Sequence, residues 1–345
     1  MILNIEIKKE VIGSMERCYA LASINTMSGK KIIVGSEAVG GECKIYSLED
    51  YTEETIFKNI GGTMSIVPLN TKDEQQESFL ISQKFYPGFQ AKESKIVKLT
   101  KKEEHWVSEE VLVMPYLHRF DIIQNDGKDY IVCATLCTWK NEREDWSSPG
   151  HVFVGEYDRN NNTVKNLRIV LANITKNHGF IKVQENQQQT VIISSEDGVY
   201  KIFVEKDHYY YKNINGIPSS EITLADINND GEQEMVIIEE FHGKTLGVYD
   251  RKGELLTRIN RDASFLHSLW SGSFAGQNIV ICGARRGLSD LVLIYFNEKM
   301  DLQVVEIDSN VGSANIIVEE IENGLSIISA NNLVNEVAAY SLFLT

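Results

Sequence analysis

The chain has 345 residues, with 34 Lys and Arg against 49 Asp and Glu, a formal charge of −15. That acidity argues against nucleic acid as a partner, and no apolar run reaches the about 20 residues that a membrane helix needs. Five cysteines, Cys18, Cys43, Cys133, Cys137 and Cys282, are odd in number and lack C-x-x-C spacing, which fits buried thiols rather than disulfides or a thiolate zinc site.

The N-terminal stretch Leu3-Asn-Ile-Glu-Ile-Lys-Lys-Glu-Val-Ile alternates apolar and polar residues and lacks a secretory apolar core. It reads as a strand, and the chain as cytoplasmic. Repeated units then follow, near 13–58 (from Cys18), 59–113 (from Thr63), 114–173, 174–215, 216–260, 261–308 and 309–345. Seven units over 345 residues give about 49 each, close to the 40–50 of a propeller blade. The clearest runs from Glu221 through Asp226-Ile-Asn-Asn-Asp230-Gly231 to Met235-Val-Ile-Ile, Thr245-Leu-Gly-Val-Tyr and Leu255-Leu-Thr-Arg-Ile. It reads as four strands, the first two joined by a tight Asp-Gly hairpin.

The last unit offers only three strands, so the N-terminal segment 1–12 is expected to supply its fourth. The expectation is therefore an all-β, single-domain chain: a seven-bladed β-propeller of four-stranded antiparallel blades, its ring closed by the N-terminal strand. Two stacked β-sandwiches would explain the alternation but not the unpaired first strand.

In a propeller the first strands of the blades line the axial channel, so equivalent starting positions converge there. His118, His178 and His267 start the third, fourth and sixth blades, and Glu221 starts the fifth. Three imidazoles suit a zinc-like ion with an open coordination position; the alternative is hydrogen bonding within the channel. Asp226, Asn228, Asp230 and Glu234 form D-x-N-x-D-G-x-x-E, a spacing of hard oxygen donors for structural calcium or magnesium, or else a polar turn. His242 and Arg285-Arg286 follow second strands, as does Lys84 among the aromatics of Gln83-Lys-Phe-Tyr-Pro-Gly-Phe89. Trp146 occupies the longest irregular stretch, 138–150, where a lid is expected. No G-x-S-x-G, phosphate loop or H-E-x-x-H pattern is present.

The succession Gly62-Thr-Met-Ser-Ile-Val-Pro, Gln83-Lys-Phe-Tyr-Pro, His118-Arg, His178-Gly, Ser220-Glu221 with His242-Gly, and His267 with Cys282-Gly-Ala-Arg285 resembles the propeller domain of aldos-2-ulose dehydratase and bacterial relatives with FG-GAP or VCBS repeats. The resemblance covers roughly residues 60–300 and implies a metal-dependent lyase. Its substrate would be a small carbohydrate, a keto-sugar such as 1,5-anhydrofructose or an aldos-2-ulose, dehydrated through an enolate. The resemblance does not extend to the cupin domains that carry isomerisation in the fungal enzyme, so isomerase activity is not expected.

On that reading zinc sits on His118, His178 and His267, Glu221 or His242 acts as acid or base, and Lys84, Arg119 and Arg285 hold hydroxyls or the developing oxyanion, with Trp146 beside the substrate. The alternatives are a non-catalytic propeller binding glycan or protein, or another metal-assisted sugar enzyme such as a polysaccharide lyase or an epimerase.

Overall fold

The structure is a computed structural model that describes residues 3–69, 77–185, 187–261, 263–297 and 299–345. Residues 1 and 2 of the expected closing segment and 70–76 of the second repeat lie outside the described residues.

Strand β1 (Ile5–Ser14) is followed by four-stranded antiparallel sheets taken in chain order. Blade 1 comprises β2 (Cys18–Thr26), β3 (Gly29–Ser36), β4 (Cys43–Ser47) and β5 (Glu53–Phe57). Blade 2 comprises β6 (Ile66–Pro68), β7 (Ser78–Gln83), β8 (Lys95–Lys102) and β9 (His105–Val113). Blade 3 comprises β10 (Leu117–Asn125), β11 (Lys128–Thr135), β12 (Gly150–Asp158) and β13 (Thr163–Ile174). In blade 4 these are β14 (Gly179–Glu185), β15 (Gln188–Ser195), β16 (Gly198–Glu205) and β17 (His208–Asn215). Blade 5 holds β18 (Ser219–Ala225), β19 (Glu234–Glu239), β20 (Thr245–Tyr249) and β21 (Leu255–Asn260). Blade 6 holds β22 (Ser264–Phe274), β23 (Gln277–Arg286), β24 (Leu291–Phe296) and β25 (Leu302–Asp308).

The last sheet has the order β1-β28-β27-β26, with β26 (Ser313–Ile321), β27 (Gly324–Asn331) and β28 (Glu336–Leu344). The N-terminal strand thus supplies the edge that the C-terminal repeat lacks, pairing from Ile5↔Leu344 to Ser14↔Glu336. Seven such sheets make the chain an all-β, seven-bladed β-propeller. Among the described residues no helix is long and apolar enough to cross a membrane.

The turns follow from backbone sterics. Asn125↔Lys128 closes over Asp126 (φ 51°) and Gly127 (φ 76°), the two left-handed residues of a type I′ hairpin, whose twist matches that of the flanking strands. Lys206 (φ 48°) and Asp207 (φ 62°) repeat the device between β16 and β17. The expected tight Asp-Gly hairpin in blade 5 is instead an extended loop, residues 226–233, between β18 and β19. Asp226 explains the difference: its carboxylate accepts from the Asp230 amide (2.9 Å) and the Gly231 amide (3.0 Å), so it folds the loop on itself.

The chain divides into two compact units, Ala22–Ser219 and Met1–Leu21 with Ser220–Thr345. Within each, apolar cores form between neighbouring blades. Leu80 and Ile96 of blade 2 meet Leu117, Phe120 and Ile131 of blade 3. In the other unit Val236, Ile238 and Leu246 meet Val280, Cys282 and Val292. Second and third strands carry most of this burial because sheets pack on both of their faces. All five cysteines are buried and none is in a disulfide. Burial pushes the Cys282 thiol up to about 12, which keeps it protonated and unreactive.

Candidate functional site

In the unit Ala22–Ser219, His118 and His178 are both buried and their ring centroids lie 4.5 Å apart, tilted by 36°. His118 occupies a β-bulge: Leu117 pairs with Thr135 and Arg119 with Ala134, and the residue between is left out of the ladder. A bulge re-aims the side chain of the extra residue, here toward His178 and the edge of Phe85 at 5.3 Å. His178 precedes β14, and its amide donates to Ser194 O (3.1 Å). Arg119, expected to hold substrate, donates from Nη1 to Met64 O (2.9 Å) and from Nε to His178 O (3.4 Å). It therefore ties the main chains of blades 2 and 4 to blade 3 and fixes the histidine pair. Lys84 forms an ion pair with Glu93 (2.8 Å).

Trp146 meets Phe89 edge to face at 5.3 Å, and the Lys140 ammonium stands 3.3 Å from its ring centroid. Asp145 anchors this segment. The Ser147 hydroxyl, then the Ser147 and Asn141 amides, hold its carboxyl down to about 2, below the model-peptide value of about 3.9. A depressed carboxyl contributes order above its unfolded pKa and loses it as pH falls through the folded one. Tryptophan fluorescence should therefore report loosening of 138–150 between pH about 4 and about 2. Asp145→Asn should remove that step; an identical acid transition in the variant would contradict the assignment.

In the unit of Met1–Leu21 with Ser220–Thr345, His267 occupies the same kind of bulge, between the pairs Leu266↔Ala284 and Ser268↔Gly283. The ring is 1% exposed and both of its nitrogens are engaged. Nδ1 lies 2.5 Å from Ala314 O and Nε2 lies 3.2 Å from the Tyr19 hydroxyl. A carbonyl can only accept, so Nδ1 carries the hydrogen and the Nε2 lone pair faces Tyr19 in the neutral ring. His242 stacks on Phe265 at 4.0 Å and on His267 at 5.3 Å. His242 (φ 56°) and Phe265 (φ 61°) both hold left-handed backbone, which costs a side-chain-bearing residue about 1 kcal/mol or more. Such strain collects at ligand-binding positions. Gly243 follows His242 because a Cβ there would stand 2.0 Å from Glu239 O.

Arg285 donates to Asn332 Oδ1 (2.7 Å) and lies over the rings of Tyr19 (5.6 Å) and Phe265 (5.7 Å). Glu221 is buried at the start of β18. Sequence reasoning missed Tyr19, Phe265 and Asn332. Tyr19 shares the first-strand position that singled out the histidines, but a tyrosine there reads as core packing.

The D-x-N-x-D-G-x-x-E loop uses its oxygens internally. Besides the Asp226 bonds, Glu234 accepts from the Ile227 amide (2.9 Å), and Asn228 donates to Asp230 (3.0 Å). Burial raises the Glu234 pKa.

No protein-family model and no curated protein matches this chain. Among solved structures it is similar to BBS1N in complex with ARL6DN, soaked with mercury, at 9% identity and a TM-score of 0.56, covering 98% of this chain and 95% of that one. The same complex soaked with lead gives 10% identity, a TM-score of 0.56 and coverage of 98% and 96%. Likeness at this identity is one of fold, the propeller. The expected kinship with aldos-2-ulose dehydratase and FG-GAP or VCBS repeats has no support in these comparisons beyond that fold class.

Proposed function

We propose that this chain is a divalent-metal-dependent lyase that removes water from a keto-sugar of the 1,5-anhydrofructose or aldos-2-ulose type. The observation that carries the reading is the hydrogen bonding of His267: Nδ1–H goes to Ala314 O, so the Nε2 lone pair, which accepts from the Tyr19 hydroxyl, is the one a metal would take, releasing that hydroxyl for the substrate. A backbone carbonyl behind an imidazole is the usual support of a metal-ligating histidine, and nitrogen donors suit zinc. His267 would hold the ion through Nε2, and zinc bound there would supply polarisation of the substrate ketone.

The protein's own groups complete the elimination. His242 or Glu221 takes the proton from the carbon beside the ketone, and the electron pair of that C–H bond forms the enolate. Arg285, aimed by Asn332, stabilises the oxygen as it gains charge. The neighbouring hydroxyl then leaves, and a proton from the Tyr19 hydroxyl makes it water.

The test is ultraviolet absorbance of the enone formed from 1,5-anhydrofructose. Protein as purified should show a rise that chelation abolishes and zinc restores. Zinc bound without turnover would overturn this substrate and point to another metal-assisted sugar enzyme; neither turnover nor bound zinc would overturn the lyase and leave the second reading, a propeller that binds glycan or protein without catalysis. That second reading draws on the two similar solved structures being of a propeller in complex with another protein.

A further inference from the structure

Apart from the histidines, the unit Ala22–Ser219 carries a cleft of about 640 Å³ between the segment Lys84–Glu93 and the loop Lys140–Arg143. That volume lies within the range of small-molecule sites. Its lining inverts the sign of the chain. Four cations, Lys84, Lys92, Lys140 and Arg143, face it with two carboxylates, Glu93 and Glu142, although acids outnumber bases 49 to 34 in the whole sequence.

The charges are unevenly matched. Lys84 has Glu93 at 2.8 Å, whereas the Lys92 ammonium lies over the Trp139 ring at 3.9 Å, and among the described residues neither Lys92 nor Lys140 forms an ion pair. Lys140 is 6% exposed, and its ammonium donates to Arg143 O (2.8 Å) and Asp145 O (2.6 Å) while standing on Trp146. Carbonyls and a ring face satisfy its hydrogens, while the Asp145 and Glu144 carboxylates act on its charge without a direct ion pair and are outweighed by burial. Burial accordingly lowers its pKa.

The walls are aromatic, from Tyr86, Phe89 and Tyr116. Lys84 (φ 65°), Phe89 (φ 62°) and Tyr116 (φ 59°) hold left-handed backbone, rare for bulky residues and common at ligand clamps. Phe89 continues through Phe85 (6.3 Å) to His118 (5.3 Å), so the cleft backs onto the histidine pair of this unit.

We infer that this cleft binds a carboxylated sugar, a uronic-acid residue of a short oligosaccharide, with its carboxylate toward Lys140 and Lys92 and its ring against Phe89 and Tyr116. Aromatic faces suit the pyranose, and a carboxylate adds an opposite charge beside Lys92 and the buried Lys140, neither of which has a direct ion pair among the described residues, where a neutral sugar adds none. The inference does not depend on the lyase reading, since binding requires no metal and no turnover.

Isothermal titration with trigalacturonate, maltotriose and inorganic phosphate tests it. Trigalacturonate should bind, more weakly as salt rises, while maltotriose and phosphate bind at least about tenfold less tightly. The double variant Lys92→Gln, Arg143→Gln changes exposed residues and leaves the core intact. It should weaken trigalacturonate about tenfold. Lys140→Met should weaken it further, with the rim variant as the arm that does not depend on folding of the loop. His267→Ala should leave this binding unchanged, which separates the cleft from the lyase centre. Equal affinity for maltotriose or phosphate, or trigalacturonate binding indifferent to the rim variant, would overturn the inference.

Discussion

Removal of residues 1–12 should lower the melting temperature by about 8 °C or more and expose a sheet edge that promotes association. Strand β1 pairs with β28 along its length, and Leu3, Ile5 and Ile7 pack on the core that includes Ile327 and Leu342. Burying Leu3 contributes about 2 kcal/mol and the two half-buried isoleucines about 1 kcal/mol each. Lys9 adds ion pairs to Asp308 (2.8 Å) and Glu336 (3.2 Å), half-exposed and worth less than the apolar burial. At roughly 2 °C per kcal/mol for a chain this large, the apolar share alone gives the stated shift. Calorimetry of the truncated chain measures it; unchanged melting with a monomeric elution profile would contradict the role of β1.

His267→Ala should abolish keto-sugar dehydration, by more than the about 100-fold typical of losing a supporting partner behind a metal ligand. It should also cost about 1–3 kcal/mol of stability, because Ala314 O and the Tyr19 hydroxyl both lose a bond in a buried site. Tyr19→Phe separates the two effects. It keeps the His267–Ala314 bond and the ring packing but removes the proposed proton donor, so kcat should fall about 100-fold with KM little changed. Equal loss in kcat and stability for both variants would mean that Tyr19 and His267 act only as packing.

The blades were legible because strand alternation recurs at a nearly constant spacing and because the first strand had no blade of its own. The first-strand histidines were legible for the same reason. The bulges that hold His118 and His267 were not, since an extra residue in a strand leaves no mark on composition or period. Arg119 read as a holder of substrate hydroxyls or oxyanion, and its bonds to two main-chain carbonyls left no mark in the sequence because Met64 and His178 lie 55 and 59 residues away. Asp230-Gly231 read as a hairpin turn because the pattern of Asp before Gly is local, whereas the Asp226 carboxylate that opens the loop acts from four residues away. Lys140 passed unnoticed because a lysine in an irregular stretch reads as solvated, and only the fold of 138–150 buries it.

Zinc titration of metal-stripped protein by calorimetry tests the central claim most directly. Intact protein should bind one zinc per chain in the submicromolar range, and His267→Ala should bind it at least about 100-fold more weakly. Absence of zinc binding by the intact chain, or the same affinity without the His267 imidazole, would contradict the account.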